Sequence, residues 1–305
     1  MNRQPHDWHL PGLDGAHPLA FLAALGTLRV ATIAWPHSVP TLRWIAAEGA
    51  WRPVLAVEGV SDREALLSGL CDQLSKMAEH PTFRVGDNIN FTSEQFRALA
   101  EEAQRLVPTD GTMAAFLGAF ACEAVVDNQS KQVVDTAFRT MRGAGHQHFV
   151  KTMRDLAQST DRGHLEDSLF HPWRYGDIGM GLRWDPQDDR RYALRWSEPS
   201  RDPTRTERGA NRLAVEALPL FPVQPVRRRL ATTGFSRRSR RTLLSWPVWE
   251  PAASVDVVRS LLALVALQEE RPPRDELEKR GVVEVFRSER ITLGKYRNFT
   301  PALPV

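Results

Sequence analysis

The chain has 305 residues, 42% of them hydrophobic and 25% charged, with a formal net charge of +3. That balance is ordinary for a soluble globular protein with a sizeable core, and the length admits one large domain or two smaller ones. Cys71 and Cys122 are the two cysteines and each falls on the apolar side of a helical pattern, which excludes a disulfide framework and argues against a cysteine-rich zinc site. The start, MNRQPHDWHL, shows no continuous apolar region behind a basic end, and no wholly apolar run exceeds seven residues, the length of 261–267, which is too short for a bilayer. A cytoplasmic protein without membrane contact is therefore expected.

In chain order, Gly12, Asp14 and Gly15 make a turn before a helix in which Phe21, Leu22, Leu25 and Leu28 recur at helical spacing. Pro18 suits its first position, and Gly26 within it suggests close backbone packing, against the core or a partner. Strands are expected at 42–45 and 51–57. Ser61 with Glu64, and Thr92 with Gln95, read as capping boxes for two helices. The first has Leu67, Leu70, Cys71, Leu74 and Met77 inward, and the second has Phe96, Leu99, Ala103 and Leu106. A third helix is expected over 112–126, with Met113, Phe116, Leu117, Phe120 and Ala124 inward, and a strand over 131–141.

Glycines at 143 and 145 precede a helix bearing Phe149, Val150, Met153 and Leu156. Free amides at such a helix start favour anions, and Arg139, Arg142, Lys151 and Arg154 would add positive charge there. Neither the dinucleotide fingerprint nor a P-loop is present, so an ordinary turn and cap is the competing reading. Tyr192, Leu194 and Trp196 alternate as a strand face. A helix is expected over 207–218 with Arg208 and Arg212 outward, then an extended path through Pro219, Pro222 and Pro225. A strand over 242–249, a largely buried helix capped by Ser254 that carries Val257, Val258, Leu261, Leu262, Leu264 and Val265, a charged helix over 271–279, a strand over 282–291 and an irregular tail complete the chain. The fold class expected is α+β, mixed helices and antiparallel strands in a single domain over 1–305. A subdivision into a helical part, 1–128, and a β-richer basic part, 129–305, is the alternative.

The stretch 201–241 concentrates the charge. It holds eleven arginines against Asp202, Glu207 and Glu216, a net +8, which leaves the rest of the chain at about −5. Only five of the forty basic residues are lysines; a GC-rich codon bias accounts for arginine over lysine but not for the clustering. Arg227, Arg228, Arg229, Arg237, Arg238, Arg240 and Arg241 lack acidic neighbours in sequence. Guanidinium matches phosphate geometry and never loses its charge, so these seven are expected to contact nucleic-acid phosphate, supported by Arg208 and Arg212. Phe221, Phe235, Trp246 and Trp249 nearby suggest stacking on bases. Arg142, Lys151 and Arg154 form a second expected contact. A solvated charged face is the competing reading.

Catalysis finds less support. His6 with His9, and His146 with His148, lack a carboxylate or thiol at ligand spacing, so no metal is expected. Asp185, Asp188 and Asp189 are the best acidic cluster and the basis for an alternative metal-dependent nuclease, although Asp-Pro followed by polar residues also reads as a turn. No cofactor motif and no nucleophile elbow is present.

The opening LPGLDGAHPLAFLAALGTLR (10–29), with GAGHQHFVKTMRDLA (143–157) and RGANRLAVEALPLFP (208–222), resembles proteins encoded with subtype I-G (formerly I-U) CRISPR systems. The resemblance implies a small counterpart of the large subunit of the type I Cascade complex, or an accessory of the helicase-nuclease that Cascade recruits. Its implied partners are guide RNA, target DNA, other Cascade subunits and the helicase-nuclease. No PAM-reading residue carries over. The expectation is a non-enzymatic subunit of an antiviral ribonucleoprotein complex, with a protein–protein adaptor as the alternative.

Overall fold

The computed structural model describes residues 5–141, 147–179, 181–188, 204–293 and 296–305. Strand β1 (Pro5–His9) leads through a turn at Asp14 to helix α1 (Pro18–Ala34). Pro18 sits in the first turn, where a missing N–H leaves no helical bond unmade, and His17 Nδ1 accepts the Ala20 amide at 3.3 Å. Strands β2 (Thr41–Ala47) and β3 (Ala50–Glu58) form a hairpin that turns through Glu48 and Gly49 at φ of 52° and 74°. Helix α2 (Arg63–Ala78) is capped by Asp62 rather than Ser61: the Asp62 carboxylate accepts the Ala65 amide at 2.7 Å. Leu67, Leu70, Leu74 and Met77 are buried as expected.

Helix α3 (Ser93–Leu106) carries the full Thr92–Gln95 capping box. Helix α4 (Thr112–Phe120) ends well before residue 126, because the backbone becomes extended at Ala121. Strand β4 (Ala121–Val126) pairs there with β5 (Val133–Asp135), and Ala124 is exposed. A turn closed by the Arg139 amide on Thr136 O at 3.2 Å ends β5 short of the expected strand.

Helices α5 (Phe149–Ser159) and α6 (Arg162–Phe170) follow, then β6 (Asp177–Ile178), β7 (Arg205–Thr206) and helix α7 (Arg208–Ala217). Strands β8 (Val223–Val226) and β9 (Arg229–Thr232) make one hairpin, β10 (Phe235–Arg238) and β11 (Arg241–Trp249) the next. The chain continues through β12 (Ala253–Ser254), α8 (Val255–Leu262), α9 (Arg274–Glu278), β13 (Val282–Leu293), β14 (Tyr296–Phe299) and β15 (Leu303–Pro304). Two expectations change here. The tail is not irregular, since β14 and β15 both pair with β13. Helix α8 buries one face alone, with Val258, Leu261 and Leu262 inside and Val257 49% exposed, and it ends before Val265, which lies in a following 3-10 turn and is 79% exposed. The expected strand at Tyr192, Leu194 and Trp196 lies outside the described residues.

The architecture is α+β with antiparallel sheets, helices prevailing in the first half and strands in the second. One sheet has the order β1-β3-β2-β12; the other runs β10-β11-β13-β14 with β15 beside β13. Residues distant in sequence meet in both sheet and core. Ala253 pairs with Leu42, and the Phe21 ring lies between Trp44 of one sheet and Trp246 of the other, at centroid distances of 5.8 and 5.5 Å. A buried indole N–H usually finds an acceptor: Trp246 Nε1 donates to Gly15 O and Trp249 Nε1 to Leu42 O, each at 2.8 Å, whereas fully buried Trp44 has no partner for Nε1 among the described residues. Gly26 of α1 packs against α7 so closely that a Cβ would overlap the Leu213 carbonyl, which assigns that glycine to the core.

Candidate nucleic-acid interface

The basic band folds into two tight hairpins. Val226 pairs with Arg229 around the turn Arg227–Arg228, and Arg238 pairs with Arg241 around Ser239 and Arg240. Two-residue hairpin turns need a left-handed residue, a place where Gly or Asn is favoured. Here Arg227 and Ser239 fill it, at φ of 57° and 54°. Pro225 is tolerated because β8 pairs, among the described residues, with β9 alone.

Beside the first hairpin lies a cleft of about 770 Å³. Arg227, Arg228, Arg229 and Arg237 line it from the hairpins, Arg290 from β13 and Arg297 from β14. Asp135, its one carboxylate among the described residues, is held by Arg139 at 2.7 Å. Val134, Ala137, Leu230 and Phe235 supply apolar wall. Thr232 Oγ1 accepts the Ala137 amide at 2.9 Å, which fastens β9 to the opposite side. Arg290 and Arg297 donate to the carbonyls of Ala137 and Arg139, the latter at 3.1 Å.

The arginines expected at the interface divide into three groups. Arg227, Arg228, Arg229, Arg237 and Arg240 are exposed and have no side-chain hydrogen bond or ion pair among the described residues. Arg241 is exposed but pairs with Glu289 at 2.8 Å, and half-buried Arg238 donates to Gln268 O with Glu270 3.6 Å away. The remainder are engaged elsewhere. Arg208 reaches the carbonyls of Ser159 and Ile178 at 3.4 and 3.3 Å.

Arg212 does not face outward. It is fully buried, paired with Glu216 at 2.8 Å, donating to Leu74 O and lying over the Phe83 ring. Arg29 of α1 meets the other Glu216 oxygen. Burial alone would raise the Glu216 carboxyl, but Arg212 and Arg29 outweigh it and hold it below the ordinary carboxylate range.

The second expected contact has similar local partners. Lys151 pairs with Asp155 and Arg154 with Asp87, both at 2.6 Å, while Arg142 lies outside the described residues. Arg139 is buried and binds Asp135, Asn90 and the carbonyls of Ile89 and Met141. Nor do the aromatics behave as one set. Phe221, Trp246 and Trp249 are fully buried, so Phe235 alone of the four lines the cleft.

The acidic cluster is structural at Asp185. That side chain is buried and accepts the Tyr175 hydroxyl at 3.0 Å and the Gln187 amide at 2.8 Å, with His17 Nε2 3.3 Å away. Burial, reinforced by Asp185, pushes the Tyr175 phenol well above its usual range. Asp188 shares the turn and Asp189 lies outside the described residues. Among the described residues no group of three His, Cys, Asp or Glu side chains is arranged to hold a metal ion.

Arg290 and Arg297 join the cleft without being singled out by the sequence. Their signal is the second basic run, Arg287 to Arg297, but spacing along one strand says nothing about which hairpin it will face. No helix among the described residues is long and apolar enough to cross a membrane. Comparison with protein-family models, curated proteins and solved structures gives no match for this chain.

Proposed function

We propose that this chain is a non-enzymatic nucleic-acid-binding protein, acting in the cytoplasm as a subunit of a type I CRISPR surveillance complex. One observation carries the binding: five exposed arginines, with no intramolecular partners among the described residues, are gathered on two successive hairpins, and four of them, Arg227, Arg228, Arg229 and Arg237, line one cleft. Surface arginines commonly settle on nearby carboxylates or carbonyls, as Arg241, Arg154 and Arg208 do. Those that do not are suited to an external anion, and a phosphodiester backbone offers a row of them. The membership in Cascade rests on the three segments that resemble subtype I-G proteins. Guide RNA, target DNA and neighbouring subunits are then the partners, with the hairpin tips as one edge of a larger surface.

The test is a salt titration of binding to labelled DNA and RNA, with Arg227, Arg228, Arg229, Arg237 and Arg240 replaced together by Gln. For every phosphate no longer neutralised, the slope of log K against log salt should fall by about 0.7–0.9. Affinity and slope equal to those of the parent chain would remove the assignment. Co-expression with type I-G Cascade components should recover the chain bound to CRISPR RNA; its absence from that complex would leave binding without the CRISPR context.

A further inference from the structure

We infer that the cleft receives an unstacked base of a single-stranded nucleic acid, with Phe235 as the surface against which the base lies. This rests on the nucleic-acid reading above and narrows it to strand state. The cleft volume of about 770 Å³ is in the range of pockets that enclose small ligands, and larger than a row of phosphate contacts requires. Its composition is mixed. Six arginines line it, from the two hairpins and from β13 and β14, while Val134, Ala137, Leu230 and Phe235 provide apolar wall. A duplex keeps its bases stacked inside and presents phosphate to a surface, so it would engage the arginines and leave the apolar wall wet. A single strand can place phosphates on the arginines and turn a base inward, which covers that wall.

Phe235 is fixed for this role. Its ring meets Phe138 edge-on at a centroid distance of 4.9 Å and an interplanar angle of 88°, and lies 6.1 Å from Phe299. It is half-buried, so part of the ring remains on the cleft. Arg290 and Arg297 are held in the cleft wall by the carbonyls of Ala137 and Arg139 before any ligand arrives. Such preorganisation avoids an ordering cost on binding. Flat stacking on one aromatic tolerates any base, so little sequence preference is expected.

The experiment compares full-length chain binding to a labelled DNA strand, the RNA strand of the same sequence, their duplex forms, and the DNA strand carrying abasic sites. Single strands should bind about tenfold or more tighter than duplexes, and the abasic strand should bind about tenfold more weakly than the intact one. The tighter of the DNA and RNA strands identifies the source. Phe235→Leu, which keeps an apolar side chain without the aromatic face, loses the ring contacts with Phe138 and Phe299 and should melt somewhat lower; the folded variant should bind single strands severalfold more weakly and duplexes as the parent does. Duplexes binding as tightly as single strands, or an abasic strand binding like the intact one, would overturn base insertion. If the salt slope still depends on the five hairpin arginines in that case, the phosphate-binding reading survives; if it does not, both fail.

Discussion

Arg212 and Glu216 lie one turn apart on α7 with their charged groups 2.8 Å from each other and sealed from solvent. Arg29, from α1, completes the group on the second Glu216 oxygen. Removing one member of a buried charge group leaves the others without compensation, which costs about 3–5 kcal/mol. Arg212→Met should therefore lower the free energy of unfolding by about 3 kcal/mol, the lower end of that range, since Arg29 still neutralises part of the carboxylate. Replacing all three by apolar residues should recover most of the loss, as buried ion groups are often replaceable by packing. Urea titration measures both. The folded Arg212→Met chain should bind nucleic acid with an unchanged salt slope, because this arginine reaches no surface.

Glu207 and Glu216, near opposite ends of α7, should move stability in opposite directions with pH. Glu216 sits below its ordinary value in the folded chain, so its contribution is complete above the unfolded carboxyl value of about 4.3 and is lost as pH falls through the folded one. Glu207 is raised: burial is the main cause, with Asp177 adding to it against the Tyr175 and Arg174 amides. The folded state then holds that proton longer, and stability declines as pH rises from the unfolded value through the raised one. Glu207→Gln keeps an acceptor for the Tyr175 amide and should remove this decline, while Glu216→Gln should remove the loss at low pH. Urea midpoints across the acid range distinguish the two.

The sequence is legible where the determinant is local. Pro18 and the Thr92–Gln95 pair mark helix starts because a cap depends on three or four neighbouring residues. The end of α4 is hidden because Phe116, Phe120 and Ala124 continue a helical spacing; pairing of Ala121 and Val126 with β5 overrides it. The hairpins are hidden because Arg227 and Ser239 stand where Gly or Asn would announce a turn. Helical spacing puts Arg212 outside because, Glu216 apart, its partners are the Leu74 carbonyl and the Phe83 ring, and groups distant in sequence leave no trace in a helical period. The cleft has the same origin: strands β9, β13 and β14 are brought together by the fold alone.

Two glycines should respond to alanine with opposite sign. In a helix interior Ala is favoured over Gly by about 1 kcal/mol. At Gly118 of α4 an added Cβ meets nothing within 4 Å, so Gly118→Ala should stabilise by up to that amount. At Gly26 the same atom would overlap the Leu213 carbonyl, backbone that cannot move without separating α1 from α7. Overpacking of this kind costs about 1–3 kcal/mol or more and outweighs the propensity gain. Thermal unfolding of the two variants measures the difference. A stabilised Gly26→Ala chain would show that the helices do not cross at that distance.

Arg227 places stability and binding in opposition. Its backbone is left-handed, at φ 57°, which costs an ordinary L-residue about 1–2 kcal/mol and Asn less, because a short polar side chain bonds locally there. Its side chain has no partner among the described residues to offset that cost, yet it stands at the hairpin tip and lines the cleft. Arg227→Asn should therefore raise the free energy of unfolding by about 0.5–1 kcal/mol while weakening nucleic-acid binding and reducing the salt slope by about one phosphate contact. Arg227→Lys separates the causes: it retains the charge and the strained backbone, so it should leave stability unchanged and keep most of the slope. Anisotropy titrations paired with urea unfolding read both quantities on the same samples. If Arg227→Asn gains stability without losing affinity, the arginine at this tip does not serve the phosphate contact.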